Sequence, residues 1–153
     1  MLKKGEKVQE LTFQVEGGKE HTLSDFSENK AVVFFFYPKD FTPGCTKQAC
    51  SFRDHYGEIR ELGGAIFGIS LDDESSHDAF REKYKLPFSL ISDPDAKLSK
   101  IFGAKRRFGF GPLKTRRATF MVAPSTGEII EAFSHEFNMA FHAEKVIEVL
   151  EKM

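Results

Sequence analysis

Two kinds of apolar pattern alternate along the chain, and together they predict that strands and helices follow one another. Residues 31–37 read AVVFFFY, an unbroken β-branched and aromatic run that is typical of a strand buried on both faces. Residues 65–71 (AIFGISL) form a second such run, and residues 88–91 predict a short third strand. These runs predict a sheet with residues 31–37 at its centre.

Helical spacing of apolar residues and capping signals fill the gaps between these strands. The first predicted helix covers residues 43–62 and ends at two glycines. The second begins with a cap at Ser75 or Ser76 and runs to about residue 85, and the last begins near Asn138. The first helix is defined by Phe52, Tyr56, Ile59, Leu62, Gly63 and Gly64. A third helix, between the second and the last, is defined by Asp93, Pro94 and Gly103. The inward face of the last helix is formed by Phe141, Val146, Val149 and Leu150.

Two hairpins flank this βαβαβα core. Residues 11–15 and 19–23 predict an N-terminal hairpin, and residues 117–123 and 128–133 flank a Pro-Ser-Thr-Gly turn. A closing antiparallel hairpin after a βαβ unit is what a thioredoxin-like core requires. We therefore expect an α/β, thioredoxin-like fold with a mixed central β-sheet flanked by helices and an N-terminal β-hairpin extension.

Composition narrows the class of protein. The 153 residues are 41% hydrophobic and 29% charged, which excludes a disordered chain and predicts one domain over residues 1–153. A net charge of -1 gives no basic surplus for nucleic acid or anionic lipid. The sequence contains neither an apolar run of the roughly 18 residues that cross a membrane nor a signal-peptide region. We expect a cytosolic protein, or an organellar one if a targeting segment has been removed.

Candidate chemistry centres on two cysteines, Cys45 and Cys50. In a reducing compartment, such a pair is more often catalytic, redox-active or metal-bound than a structural disulfide. Thr42 is in the position of a helix N-cap and Pro43 in that of the first helical residue, so Cys45 falls in the first turn of the helix. Free backbone N–H groups and the helix dipole there favour a thiolate.

Thiolate formation alone does not make a fast enzyme. Lowering a thiol pKa from about 8.5 to about 6 raises the thiolate fraction at pH 7 only about 30-fold. Hydrogen-bond donors must also stabilise the charge that develops on a substrate. The candidate donors are the Thr42 hydroxyl, the Cys45 backbone N–H and an arginine. We expect Arg117, with Arg116 on the opposite face of the strand, although the sequence alone leaves open which of the two faces Cys45.

The spacing Pro38-x-x-x-Thr42-x-x-Cys45 resembles the active-site signature of the peroxiredoxins. The wider run FYPKDFTPGCTKQAC and the later RATF resemble the bacterioferritin comigratory protein, or Q-type, subfamily. This resemblance implies a thiol-dependent peroxidase for hydrogen peroxide and organic hydroperoxides. It also implies no cofactor, a thioredoxin- or glutaredoxin-like protein as reductant, and a monomer.

The resemblance also assigns roles to single residues. Cys45 matches the peroxidatic cysteine and Cys50 the resolving cysteine of an intramolecular disulfide. Thr42 and Arg117 match the groups that hold the peroxide and the thiolate. The remaining substrate-site positions are Pro38, Pro43, Gly44 and Gln48, of which Gln48 replaces the Glu of many relatives. A second departure is Phe41, where many relatives carry a smaller or polar residue.

Helix geometry adds an expectation about the disulfide. Five residues along an α-helix separate two Cα atoms by about 8.6 Å, from a rise of about 7.5 Å and a rotation of about 140°. A disulfide requires less than about 7 Å between Cα atoms. The turns around Cys45 must therefore unwind before Cys45 and Cys50 bond, and the reduced form should keep the two sulfurs apart.

Other interpretations of these residues stay open. A metal site at Cys45, Cys50 and His55 lacks an evident fourth ligand. A thiol–disulfide oxidoreductase normally carries Cys-x-x-Cys, and a non-catalytic redox sensor remains a further alternative. We expect Asp40 and Lys39 to be solvated loop charges. The five histidines, expected to be structural or exposed, are His21, His55, His77, His135 and His142. The chain also has a basic stretch that comprises Lys105, Arg106, Arg107, Phe108 and Phe110. We expect it to be a solvated loop, and the alternative is a binding surface for an acidic partner.

Overall fold

The computed structural model describes residues 1–8, 11–105 and 115–153 as a mixed α/β protein. Its strands are β1 (Thr12–Gln14), β2 (Glu20–Thr22), β3 (Ala31–Phe36), β4 (Gly64–Ser70), β5 (Ser89–Ser92), β6 (Ala118–Val122) and β7 (Ile129–Ser134). Its helices are α1 (Pro43–Asp54), α2 (Tyr56–Glu61), α3 (Glu74–Tyr84), α4 (Lys97–Phe102) and α5 (Ala140–Glu151).

The main sheet has the strand order β5-β4-β3-β6-β7, so β3 is central as its apolar sequence predicts. β3 runs parallel to β4 and antiparallel to β6, and Phe36 pairs with Ala118 at one end. β1 and β2 form a separate two-stranded hairpin. This arrangement confirms the expected mixed sheet with an N-terminal hairpin extension.

The side chains of β3 divide the core into two clusters, because alternate residues of a strand face opposite sides. Phe34 and Phe36 pack with the N-terminal hairpin and α4 on one face of the sheet. Phe35 and Tyr37 pack with α1, α3 and α5 on the other face. Cys45 belongs to this second cluster, which we call the helical face, and the first is called the hairpin face.

Several helix ends differ from the sequence expectations. The predicted 43–62 helix divides into α1 and α2 at His55, whose ring donates back to the Ser51 carbonyl oxygen at 2.8 Å. α3 is capped by the Asp73 side chain, which accepts from the Ser76 N–H, so Ser75 and Ser76 were the wrong caps. A carboxylate satisfies a free N–H at a helix start at least as well as a hydroxyl does.

The start of α4 and the inward face of α5 also differ from the sequence expectations. The predicted Asp93-Pro94 start lies before α4, which begins at Lys97, but the Asp93 carboxylate still accepts from the Leu98 and Ser99 N–H groups. Gly103 ends α4 in the left-handed conformation, as predicted. α5 buries Val146 and Leu150, whereas two residues predicted to face inward, Phe141 and Val149, are half-buried. Most of the basic loop, residues 106–114, lies outside the described residues.

A bilayer-spanning helix is absent from the described ranges, since none of their helices combines the necessary length and apolar character.

We predict that Gly68→Ala destabilises the fold by about 1–3 kcal/mol, because overpacking a filled core costs about this much. A methyl group at Gly68 would lie 2.7 Å from both Leu90 Cδ2 and Phe35 Cζ. Gly57→Ala in α2 is the control, since a methyl group there meets nothing within 4 Å and alanine favours a helix. Urea unfolding of both variants measures the difference. Equal stabilities would contradict the tight packing of β4 against β3 and β5.

Candidate active site

The segment that leaves β3 turns into α1 at the edge of the helical face. Thr42 takes the N-cap position with an extended backbone, and Pro43 is the first helical residue. The first intrahelical bond runs from the Thr46 N–H to the Thr42 carbonyl oxygen at 2.9 Å. Cys45 therefore lies among the N–H groups that precede helical pairing, as the sequence predicts.

Cys45 is held by an arginine from across the sheet. Its side chain is only 1% exposed, and its sulfur accepts a hydrogen bond from Arg117 Nη1 at 3.3 Å. Arg117 precedes Ala118, which pairs with Phe36 at the end of β3, so strand pairing brings the guanidinium to Cys45. A buried guanidinium and a helix N-terminus both place positive potential beside this sulfur.

The same guanidinium is held by α1. Arg117 Nη1 also donates to Gln48 Oε1 at 2.8 Å, and both side chains are buried. A methyl group added at Gly44 would lie 3.1 Å from Arg117 Nη2, so glycine leaves room for the guanidinium beside the helix. Arg117 Nε and Gln48 Nε2 lack a hydrogen-bond partner among the residues that the structure describes.

The backbone of Arg117 is fixed by the chain that leaves β7. Its carbonyl oxygen accepts from the Ser134 hydroxyl at 3.0 Å and from the His135 N–H at 3.2 Å. Its N–H donates to Glu136 Oε1 at 3.2 Å. These bonds hold Arg117 at the position from which its side chain reaches Cys45.

His142, in the first turn of α5, ties this chain to the sheet. Its Nε2 donates to the His135 carbonyl oxygen at 2.9 Å, so Nδ1 accepts from the Thr119 hydroxyl at 2.8 Å. Burial lowers the pKa of His142 to about 4, so the ring is neutral around pH 7. The expected structural role of His142 fits this arrangement.

Cys50 lies farther along α1 and is half-buried. Both cysteines are free, and their sulfurs are not at disulfide distance, as the helix geometry predicts. Burial raises the pKa of the Cys50 thiol above its ordinary value.

The other predicted site residues lie on the loop and the first turn. The Thr42 hydroxyl donates to the Lys39 carbonyl oxygen at 2.8 Å and forms no cap bond, so Thr42 caps by position only. Pro38 is half-buried and Pro43 is exposed at the helix start. Arg116 is exposed, whereas Arg117 faces the helical face, which agrees with strand alternation.

Sequence reasoning missed a buried polar cluster beside this loop. Asp40, which we expected to be a solvated loop charge, is 3% exposed. Its carboxylate accepts from Tyr37 Oη at 2.6 Å and lies 2.7 Å from His77 Nδ1. Its partner His77 is 37 residues away in the sequence, so no local pattern points to the pair.

A metal site at the cysteines finds no support in the geometry. Within the described ranges, the ligand atoms that converge within 4.8 Å of one another belong to Asp40, Asp72 and His77, and this group contains neither cysteine. The ring of His55, the third predicted ligand, is bonded to Ser51. Cys45 is instead satisfied by Arg117.

Comparison with known proteins decides the family. The sequence profile of the AhpC/TSA family matches residues 4–132 of this chain. The chain belongs to the AhpC/TSA family. As an AhpC/TSA member with a cysteine at a strand–helix junction, it has the thiol chemistry that the sequence predicts.

Two relatives place the chain within the AhpC/TSA family. The chloroplastic peroxiredoxin Q of Populus jackii is 39% identical over 152 residues, which are 99% of this chain and 70% of that protein. Peroxiredoxin Bcp of Bacillus subtilis is 35% identical over 152 residues, which cover 97% of this chain and 95% of that protein. These matches confirm the resemblance to the Q-type subfamily.

Solved structures of AhpC/TSA proteins confirm the thioredoxin-like fold. Peroxidoxin BcpB from Mycobacterium tuberculosis superposes with a TM-score of 0.89 at 33% identity, covering 100% of this chain and 99% of that one. A Xanthomonas campestris peroxiredoxin Q superposes with a TM-score of 0.81 at 33% identity, covering 93% and 90%. The predicted class of activity, a thiol-dependent peroxidase, is confirmed by these relatives.

We predict that Arg117→Ala slows oxidation of Cys45 by peroxide about 100- to 1,000-fold, because it removes a donor already in place at the Cys45 sulfur. The rate of Arg117→Lys should fall between those of Arg117→Ala and the original protein, since lysine keeps the charge without the planar donor set. Arg116→Ala is the matched control and should keep the original rate. Stopped-flow kinetics measures all three, and equal rates for the two alanine variants would refute the role of Arg117.

We also predict that His142 makes stability depend on pH between about 6.5 and 4. Its folded pKa of about 4 lies below the unfolded value of 6.5, so over this range the unfolded state binds the extra proton. The free energy of unfolding should therefore fall as pH falls, by on the order of 2–3 kcal/mol from this group. Urea unfolding of the original protein and of His142→Gln, measured at several pH values, tests this. Parallel pH curves would contradict it.

Proposed function

We propose that this protein reduces hydroperoxides with Cys45 as the attacking nucleophile and Cys50 as the resolving thiol. The observation that carries the proposal is the 3.3 Å hydrogen bond from buried Arg117 to the sulfur of Cys45 at the start of α1. A sulfur in this setting is favoured as thiolate and faces a fixed cation that can stabilise negative charge on a leaving oxygen.

In the first step, the Cys45 thiolate attacks one oxygen of the peroxide. A sulfur–oxygen bond forms as the oxygen–oxygen bond breaks, sulfur is oxidised to sulfenic acid, and the released alkoxide or hydroxide takes up a proton. Arg117 stabilises that leaving oxygen. The Thr42 hydroxyl donates its proton to the Lys39 carbonyl oxygen. The hydroxyl oxygen of Thr42 therefore accepts a hydrogen bond from the O–H of the peroxide and does not donate one.

Two polar groups support the position of the substrate. Gln48 orients the guanidinium of Arg117, and its Nε2, without a partner within the described part of the chain, supplies donor capacity for a bound oxygen. Gly44 keeps the first turn of α1 close to Arg117. Pro38 and Pro43, at the end of β3 and the start of α1, shape the entrance by fixing the backbone.

In the second step, the Cys50 thiol attacks the sulfur of the sulfenic acid. A disulfide between Cys45 and Cys50 forms and water leaves. The two residues lie in one intact helix, so the turns that contain Cys45 have to unwind first. Burial in the intact helix raises the pKa of the Cys50 thiol.

A dithiol protein of the thioredoxin or glutaredoxin type completes the cycle by exchanging its two thiols for the disulfide. A thioredoxin-type reductant is general to the family, whereas the particular partner stays a prediction. The cytosolic location, the single domain over residues 1–153 and the monomeric state also stay predictions, and several plant relatives are named as chloroplastic.

Two cysteine variants test the assignment of roles. Cys45→Ser should abolish peroxide reduction, because a serine hydroxyl is not ionised at neutral pH and is a weak nucleophile. Cys50→Ser should still react with one equivalent of peroxide at close to the original rate, but should be unable to form the intramolecular disulfide. Stopped-flow measurement of peroxide consumption and mass spectrometry of the products distinguish these outcomes.

Substantial turnover by Cys45→Ser would refute the proposal. Reduction of insulin disulfides faster than reduction of peroxide would instead favour a thiol–disulfide oxidoreductase. A slow reaction with peroxide, accompanied by a large change in protein binding on oxidation, would favour a redox sensor.

A further inference from the structure

A buried polar cluster holds the loop before α1, and the proposed chemistry of Cys45 does not use it. The Asp40 carboxylate binds three side chains: Tyr37 Oη donates at 2.6 Å, Ser76 Oγ donates at 2.8 Å, and His77 Nδ1 lies at 2.7 Å. The Asp40 backbone N–H donates to Asp72 Oδ2 at 2.8 Å. The loop is thereby bonded to α3 and to the chain after β4.

The protons of this cluster are assigned by their partners. His77 Nε2 faces the Ile91 carbonyl oxygen at 3.0 Å and donates to it, while His77 Nδ1 lies within hydrogen-bond distance of Asp40. Burial raises the pKa of Tyr37 well above its ordinary value, so its hydroxyl remains a donor. Both carboxylate oxygens of Asp40 are therefore occupied, which makes the cluster a closed hydrogen-bond network and not a cation site.

The cluster is close to the reacting cysteine in sequence. Asp40 lies two residues before the N-cap Thr42 and five before Cys45. Between them, Phe41 adopts a φ of 66°, a conformation that a bulky side chain rarely takes without support from its surroundings. The hydrogen bonds of Asp40, which precedes Phe41, thus determine where α1 begins after Phe41.

We propose that Asp40 is a positioning residue for the oxidation of Cys45. Its side chain fixes the loop to α3, and this fixed loop places Thr42 and the first turn of α1 opposite Arg117. The inference rests on the proposed function of Cys45, because it concerns the rate of that reaction. Asp40 acts through the backbone and does not touch the substrate.

Asparagine and alanine separate geometry from charge at this position. In Asp40→Asn, the amide oxygen accepts from Tyr37 Oη, and the amide nitrogen donates to Ser76 Oγ and to His77 Nδ1. The network closes again without a carboxylate. Asp40→Ala removes all three side-chain bonds and leaves the buried partners unsatisfied.

The test compares these variants with a buried aspartate elsewhere. Asp93 is also buried and accepts three hydrogen bonds, but it supports α4 on the other face of the sheet. We expect Asp40→Ala to lower the second-order rate constant for peroxide oxidation of Cys45 about 10- to 100-fold. Asp40→Asn should stay within about threefold of the original rate, and Asp93→Ala should lose stability but keep the rate. The milder variant Tyr37→Phe, which removes the hydroxyl that donates to Asp40, replaces Asp40→Ala if the latter does not fold and should show a smaller loss of rate.

Three results would each overturn the proposal: an unchanged rate in Asp40→Ala, or in Tyr37→Phe where that variant replaces it; an equal loss in Asp40→Asn; or an equal loss in Asp93→Ala. Hydrogen exchange separates this failure from a failure of the proposed function. The Thr46 amide, which makes the first bond of α1, should exchange faster in Asp40→Ala than in Asp40→Asn or Asp93→Ala, whether or not peroxide reacts. Equal exchange in all three would refute the fixed loop, whereas an original protein inert to peroxide would refute only the function.

Discussion

The contact between Arg117 and Cys45 depends on three separate parts of the fold. The antiparallel pairing of β6 with β3 brings the arginine to the end of the central strand. The start of α1, with Thr42 as its N-cap, presents the sulfur of Cys45 to the arginine. Gln48, within the first two turns of the same helix, fixes the guanidinium. A shift in the sheet register or in the helix start would separate the two groups, so the chemistry is sensitive to packing some distance away.

The local supports of this contact differ in kind on its two sides. On the Arg117 side, the chain after β7 binds the arginine backbone, and a neutral His142 connects that chain to Thr119. On the Cys45 side, buried Asp40 binds across to α3 through hydrogen bonds with Ser76 and His77. Buried polar groups of this kind specify one arrangement, because any alternative leaves donors and acceptors unpaired.

Most of the fold follows from local patterns in the sequence. The AVVFFFY run predicts the central strand because it is short, β-branched and aromatic, and apolar at every position as a strand covered on both faces can be. The alternation of side chains along a strand predicts that Arg116 and Arg117 face opposite sides, but only the structure decides that Arg117 faces Cys45. The position of Cys45 in the first turn of α1 follows from a proline that is tolerated only at a helix start.

What sequence reasoning missed depends on contacts between distant residues. The burial of Asp40 requires His77 and Ser76 from α3, and a single charged residue in a loop gives no sign of such partners. The break between α1 and α2 at His55 depends on a ring that folds back on the preceding turn, although the apolar spacing continues through it. The hydroxyl of Thr42 donates to a loop carbonyl oxygen and makes no cap bond with the helix, because Thr side chains also bond to backbone groups outside the helix.

The division of the core by β3 has a consequence for engineering. α1, whose first turns unwind in the cycle that we propose for Cys45 and Cys50, packs on the helical face, whereas the N-terminal hairpin and α4 pack on the hairpin face. Substitutions that tighten the hairpin face should make the protein more heat-resistant without slowing turnover. An equal gain in heat resistance from substitutions around α1 would hinder the unwinding of its first turns. Thermal stability and turnover can therefore be adjusted from opposite faces of one sheet.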